Sequence, residues 1–271
     1  MPNQRGYRSG VWETFACDEH GQHIGPPYIV KLVRRCSMEA TIYELLQSQR
    51  NACTHIVPTE VVRDSRGDFL LMPCFTGLHV QPPPWSLEQV LNYFVQVLEA
   101  VEHIHGLSVA HLDLNLHNLV MGPANNGTLD SKVRKYKPYL IDFGNSLVLP
   151  LGPGKQGPIE LPSGVVDHFE GVSRFDPYAW DVYCTGQLLA RILKHFAHVG
   201  PRTRSLLEQY IKWMVGNEGG CTGMRCIDIC RCRPSARQAR QVATLARSGL
   251  IVSRFVSRLR DLVLLRWWRS V

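Results

Sequence analysis

Two short stretches constrain this chain more than any other feature: His111-Leu112-Asp113-Leu114-Asn115-Leu116-His117-Asn118, and then Tyr139-Leu140-Ile141-Asp142-Phe143-Gly144. They have the forms H-x-D-L-x-x-x-N and D-F-G, in that order. Either alone occurs by chance in many proteins. The order, the apolar lead-in and the five-residue step from Asp113 to Asn118 all agree, which the plain reading of Asp113 and Asp142 as loop or cap carboxylates leaves as coincidence.

The pair resembles the protein-kinase-like superfamily, whose signature contains both motifs. The resemblance implies an α+β, two-lobed fold: a small antiparallel β-sheet lobe with one helix, and a larger, mostly helical lobe. It also implies ATP and Mg2+ as cofactors, because phosphoryl transfer relies on positioning and charge neutralisation. Magnesium is a hard cation that takes oxygen ligands. By resemblance, Asp142 and the side-chain oxygen of Asn118 are the metal ligands, and Asp113 orients the acceptor hydroxyl and takes its proton.

The amino-terminal third matches less well. A G-x-G-x-x-G-x-V hairpin should open the domain, but Gly6-Tyr7-Arg8-Ser9-Gly10-Val11 is the sole candidate, and a loop before a strand explains it equally well. Tyr28 to Val33 is a β-type run with one lysine among apolar neighbours, in the place of the family's V-A-I-K strand. Lys31 is therefore expected at the α- and β-phosphates, against the alternative of a solvent-facing edge lysine. Its glutamate partner is expected on a helix over 37–49 with Ser37 as cap. Glu39 is chosen over Glu44, because Ile42, Tyr43 and Leu46 follow it at i+3, i+4 and i+7. His55-Ile56-Val57-Pro58 and Phe69 to Pro73 read as the remaining strands, with Arg66-Gly67-Asp68 as a turn. Met72 falls where the family guards the adenine pocket, and backbone groups around Cys74 are expected to meet the adenine, since Pro73 has no N–H.

In the second lobe Ser86 and Gln89 form a capping box for a long helix. Val90, Phe94, Val97, Val101 and Ile104 recur along it at helical spacing, and His103 and His105 near its end read as capping or surface residues. Leu112 replaces the family's arginine, which implies no link to a phosphorylated loop. Asn115 replaces a lysine, and an amide donates a hydrogen bond without bringing charge. A polar, basic insertion separates Asn118 from Asp142, and the segment from Asn145 to Gly164 lacks a recognisable A-P-E, with Leu161-Pro162-Ser163 a poor substitute. Asp181-Val182-Tyr183-Cys184-Thr185-Gly186 is similar to the family's D-V-W-S-x-G at a helix start. There the aspartate ties to the catalytic-loop backbone; the alternative for Asp181 is a simple N-cap. Arg233-Pro234-Ser235-Ala236 matches R-P-S/T-A. The run of these motifs is similar to the expanded kinase-like proteins of mushroom-forming fungi.

Cys221, Cys226, Cys230 and Cys232 crowd together, but C-x4-C-x3-C-x-C is not a standard zinc spacing, and a thiol-rich insertion is the favoured reading. The stretch 250–271 alternates apolar residues with arginines. It reads as a helix packed on its own domain with arginines outward, the alternative being a membrane or calmodulin-like contact. The chain divides on this reading into an amino-terminal lobe (1–75), a carboxy-terminal lobe (76–249) and a basic amphipathic tail (250–271).

Bulk properties bound the rest. The 271 residues, 45% of them apolar, suffice for one such domain and little else. The net charge of +7 comes without a basic-aromatic array, so no nucleic-acid partner is expected. No apolar run is long enough to span a bilayer. Nine cysteines without a signal-like start point to reduced thiols and an intracellular, cytoplasmic or nuclear, protein. Protein Ser/Thr phosphorylation is the leading function. A pseudokinase binding or scaffolding module and a small-molecule kinase stay open beside it, and the protein substrate and oligomeric state are unassigned.

Overall fold

The computed structural model describes residues 6–8, 10–48, 55–78, 85–123, 133–160, 174–216 and 233–268. The chain opens with β1 (Gly6–Arg8) and β2 (Val11–Cys17), an antiparallel hairpin in which Gly10 takes a φ of 88°, a left-handed conformation that a side chain disfavours. Gly6 to Arg8 thus lie in a strand paired with β2 rather than in a loop ahead of one. β3 (His23–Val33) returns beside β2, pairing Val11 with Lys31. Helix α1 (Met38–Ser48) follows, and Ser37 caps it by accepting from the Ala40 N–H at 3.2 Å. β4 (Glu60–Asp64) and β5 (Gly67–Pro73) complete a five-stranded antiparallel sheet in the order β1-β2-β3-β5-β4.

One expected strand is misplaced. Residues 55–58 do not join this sheet, and the strand lies at Glu60–Asp64. Ile56 instead makes a single parallel bridge to Leu140, with Leu140 N–H donating to His55 O (2.8 Å) and Val57 N–H to Leu140 O (3.3 Å). The apolar run is buried as a strap between the lobes, and Pro58, which has no N–H, ends it.

The second lobe is built on α2 (Leu87–Gly106). Its capping box closes as expected, with Gln89 N–H donating to Ser86 Oγ (3.3 Å) and Ser86 N–H to Gln89 Oε1 (2.8 Å). Val90, Phe94, Val97, Val101 and Ile104 are all buried on it. Short strands β6 (Val109–Ala110), β7 (Leu119–Met121), β8 (Pro138–Leu140) and β9 (Leu147–Val148) pair as β6-β9 and β7-β8 and bracket the two signature stretches. β10 (Ile159–Glu160) pairs with β11 (Arg174–Phe175).

Helix α3 (Pro177–His195) is capped by Asp176, which accepts from Tyr178 and Ala179 N–H, with Pro177 in the first turn. Asp181 is therefore not the N-cap; it sits inside the helix. Helix α4 (Pro201–Val215) ends at Gly216 in a left-handed conformation, with φ 79°. Arg233 then donates to Val215 O at 3.0 Å and lies over the Tyr183 ring, tying the R-P-S-A stretch to α3 and α4. Helix α5 (Ala236–Trp268) packs its first turns on α2 through Ala236, Ala239 and Ala243 and runs unbroken past residue 250. The cysteine cluster 221–232 and the 161–163 stretch lie outside the described residues.

Candidate active site

The antiparallel sheet, α1 and the loop after β8 bring three charged groups together. Lys31, near the carboxy-terminal end of β3, donates from Nζ to Glu39 Oε1 and to Asp142 Oδ1, both at 2.8 Å. Glu44, the other glutamate on α1, points elsewhere and pairs with Arg63 at 2.6 Å. The tight connection between β3 and α1 suffices, because Glu39 lies in the first turn of the helix.

The electrostatics of the trio follow from burial. For Lys31, desolvation alone would lower its pKa, but the charges of Glu39 and Asp142 outweigh it and hold the ammonium above its ordinary value. Glu39 is deeply buried, with a side-chain exposure of 7%, so desolvation wins over Lys31 and raises its pKa. Asp142 is more open at 37%; burial again pushes its pKa up, but Lys31 more than offsets it and the carboxyl stays below its usual range. Lys31 thus lowers both carboxyls, and the difference in burial decides that only Asp142 ends below its usual range.

Backbone geometry aims this carboxylate. Asp142 has φ 63° and ψ 74°, left-handed for a residue with a side chain. Its N–H donates to the Tyr43 hydroxyl at 3.2 Å, and Phe143, fully buried, lies edge-on to the Tyr43 ring and tilted against His111, with centroids 5.1 and 5.0 Å away. Burying a phenylalanine in this way contributes about 1.5–3 kcal/mol. Phe143 thus fixes α1, and with it Glu39, to the loop that carries Asp142.

The loop over 111–118 is held from beneath by α3. Asp181, fully buried, accepts from His111 N–H (2.7 Å) and from Leu112 N–H (2.8 Å). The same carboxylate meets His105 Nε2 at 2.9 Å, so His105 is a buried partner of Asp181 and not a surface or capping residue. The sequence places His105 at a helix end, where exposure is the ordinary outcome; only the crossing of α3 behind that end buries it. Leu112 has φ 65°, a costly conformation for a bulky residue. Asp181 holds its N–H, Trp180 Nε1 donates to its carbonyl (3.3 Å), and its side chain is buried with Leu149, Phe175 and Tyr178. Where an arginine could meet a phosphate, apolar packing fastens the loop.

Asp113 is enclosed by amides. Asn115 Nδ2 donates to Oδ1 at 2.7 Å, Asn118 Nδ2 to Oδ2 at 3.0 Å, and Asn145 Nδ2 to Oδ2 at 3.4 Å. Asn118 also donates to the Asp113 carbonyl at 2.8 Å. Sequence reading misses Asn145, since the residue after D-F-G carries no signal of its own. His111 is buried, which lowers its pKa and keeps the ring neutral: Nε2 donates to Ile141 O (3.1 Å), and Nδ1 accepts from the Asp113 N–H (3.3 Å).

The hinge candidates lie at the end of β5. Met72 is buried and pairs with Ile29. Cys74 donates its N–H to Pro27 O at 2.9 Å, so its one backbone donor is used within the fold. Burial pushes its thiol pKa up.

The donor set suits a magnesium ion shared with phosphate. Asn118 turns its nitrogen to Asp113, which leaves its amide oxygen on the other side, and both bonds accepted by Asp142 fall on Oδ1, which leaves Oδ2. Among the described residues no three His, Cys, Asp or Glu side chains converge as a metal-only site. Magnesium keeps one or two protein oxygens and takes the rest from phosphates and water, so two oxygens are enough.

No protein-family model matches the chain, and no curated protein does. Among solved structures the chain is similar to the crystal structure of the BubR1 kinase domain, with a TM-score of 0.59 and 16% sequence identity, over 94% of this chain and 82% of that one. At that identity the likeness shows the fold: α+β, with a small antiparallel sheet lobe and a helical lobe, protein-kinase-like. Among the described residues no helix is long and apolar enough to cross a membrane.

Proposed function

We propose that the chain transfers the γ-phosphoryl group of ATP to serine or threonine hydroxyls of proteins. The single observation that supports this best is Lys31 bonded at 2.8 Å to both Glu39 and Asp142, which joins sheet, helix and D-F-G stretch through one cation. In this reading residues 1–75 hold the nucleotide, with Lys31 on the α- and β-phosphates and Met72 and the backbone around Cys74 at the adenine. Residues 76–249 present the acceptor, and 250–271 form a tail. Because the Cys74 N–H is taken by Pro27, the adenine meets carbonyls or a neighbouring N–H. Asn118 and Asp142 hold magnesium, which neutralises charge on the transferring phosphate.

Asp113 then orients the acceptor hydroxyl. As the hydroxyl oxygen bonds to the γ-phosphorus, the bond from that phosphorus to the βγ-bridging oxygen breaks, ADP leaves with the electron pair, and the hydroxyl proton passes to Asp113. Asn115, where the family carries lysine, offers a donor without a charge. The anchoring of His111 and Leu112 by Asp181 supports the protein-kinase branch over the small-molecule one. A place among the expanded kinase-like proteins of mushroom-forming fungi, inside the cell in cytoplasm or nucleus, belongs to the same reading. The free thiols Cys17, Cys36, Cys74 and Cys184 agree with it.

The second reading is a nucleotide-binding module with little or no transfer. It is favoured by Asp113, whose two carboxylate oxygens already accept from three amides. Labelled-phosphate transfer from magnesium ATP, to the protein itself and to a basic protein, separates the two when wild type is compared with Asp113→Asn and Asp142→Asn. Transfer lost in both variants supports the kinase. ATP binding without transfer in a folded wild type supports the module.

A further inference from the structure

Helix α5 has two apolar faces, and the fold uses one. Ala239, Ala243 and Leu250 face α2, and the attachment is reinforced by an ion pair between Arg240 and Glu102 and by Arg247 donating to Asn92 Oδ1 at 3.0 Å. At 100° per residue these three lie roughly 120–160° around the helix from Leu245. Leu245, Val252, Phe255 and Ile251 occupy the other side and are 72, 61, 61 and 51% exposed. They form a stripe roughly 120° wide. In sequence the same spacing continues through Val256, Leu259 and Val263. At the described positions beyond Leu250, then, Ile251, Val252 and Phe255 are not buried on their own domain, unlike the packing expected from the sequence pattern.

The charges indicate what covers the stripe. From 250 onward the sequence carries Arg254, Arg258, Arg260, Arg266 and Arg269 against Asp261 alone. Pairing with a second copy would set arginine-rich segments side by side with few carboxylates to offset them, the reverse of the e/g complementarity that helical pairs use. A surface that is apolar below and anionic around satisfies both properties. Exposed Phe255, with Trp267 and Trp268 further along the sequence, suits the headgroup boundary where aromatic rings settle. The helix is also not apolar enough to cross a bilayer.

We propose that α5 lies in the plane of an anionic lipid bilayer, seating Leu245, Ile251, Val252 and Phe255 among the acyl chains, and so holds the protein at a membrane surface. The inference rests on α5 alone and not on the phosphotransfer reading.

Sedimentation of the full chain with vesicles tests it. Wild type should bind vesicles of phosphatidylcholine with phosphatidylserine, release in high salt, and ignore phosphatidylcholine alone. Val252→Ser with Phe255→Ser should weaken binding more than tenfold. Arg254→Gln, Arg258→Gln and Arg260→Gln together should weaken it about a hundredfold, at roughly fivefold per arginine. Circular dichroism and an unchanged thermal midpoint would show that each variant is folded. Equal binding to both vesicle types, or none by a folded wild type, overturns the proposal. So does a dimer in light scattering without lipid that Val252→Ser with Phe255→Ser dissolves, which would assign the stripe to a second copy. Tight binding to a soluble acidic protein that protects the stripe while vesicles do not would likewise overturn it.

Discussion

The two halves of the site solve opposite electrostatic problems. On the side proposed for the nucleotide one cation, Lys31, is shared by two carboxylates; it holds Asp142 below its usual range, while burial outweighs it at Glu39. On the side proposed for the acceptor one carboxylate, Asp113, is ringed by the neutral amides of Asn115, Asn118 and Asn145. The first half keeps charges of both signs where phosphates would lie. The second keeps an anion but, among the described residues, bonds it to no cation. Under the proposed phosphotransfer, ground-state grip and transition-state stabilisation would be separable, because only the second needs a positive charge where negative charge grows.

The sharpest way to break this contrast is Lys31→Met. It leaves Glu39 and Asp142 facing each other across a partly buried gap, and we expect ATP affinity to fall by roughly 3 kcal/mol, about a hundredfold. Titration calorimetry with a non-hydrolysable ATP analogue measures it. Unchanged affinity would remove Lys31 from the nucleotide half.

Comparable in size is Asp181→Ala, which tests whether the acceptor half depends on α3 rather than on its own charges. The backbone N–H groups of His111 and Leu112 would lose their acceptor in a buried site, at about 1–3 kcal/mol each. Urea denaturation should show a clear loss of stability, and a stability equal to wild type would mean that the loop is held by packing alone.

Asn115→Lys should narrow the difference between the halves. A cation beside Asp113 is expected to raise the transfer rate about tenfold, equivalent to roughly 1.4 kcal/mol, with little change in ATP affinity. A rate that stays flat would place the limit elsewhere than at this missing charge.

The smallest effect is a pH slope. The folded pKa of His111 lies below its ordinary 6.5, so as pH falls through that value unfolded chains take a proton that the folded protein refuses. Stability should therefore fall between about pH 7.5 and 5.5, and His111→Gln should make the slope shallower by less than about 1 kcal/mol over that range. An unaltered slope would assign the loss to other histidines, such as His55 and His103, whose pKa values burial also lowers.

Much of the fold and of the site is legible in the residue order. The capping box at Ser86 and Gln89, the apolar stripe of α2 and the choice of Glu39 over Glu44 follow from residue spacing, because a helix places i+3, i+4 and i+7 on one face. The misplaced strand at residues 55–58 has the same root. A short apolar run with a β-branched residue reads as a strand, yet burial between lobes asks for the same composition as burial in a sheet. His105 and the cap of α3 escape sequence reading because two aspartates stand five residues apart: the first, Asp176, closes the helix, and the second, Asp181, reaches back to the loop.

By itself the sequence determined the order of chemistry-bearing residues and the local elements that carry them, since caps, turns and periodicity depend on neighbours within a few positions. It set the order in which Lys31, Asp113, Asn118 and Asp142, the residues of the proposed site, follow one another. Only the tertiary structure decided that Asn145 reaches Asp113, that His105 shares Asp181 with the loop 111–118, that Leu112 sits in an apolar cluster with Trp180, and that α5 keeps an apolar face toward solvent. Each of these joins elements far apart in the chain, and such contacts are set by how helices and strands pack rather than by any residue's own preference.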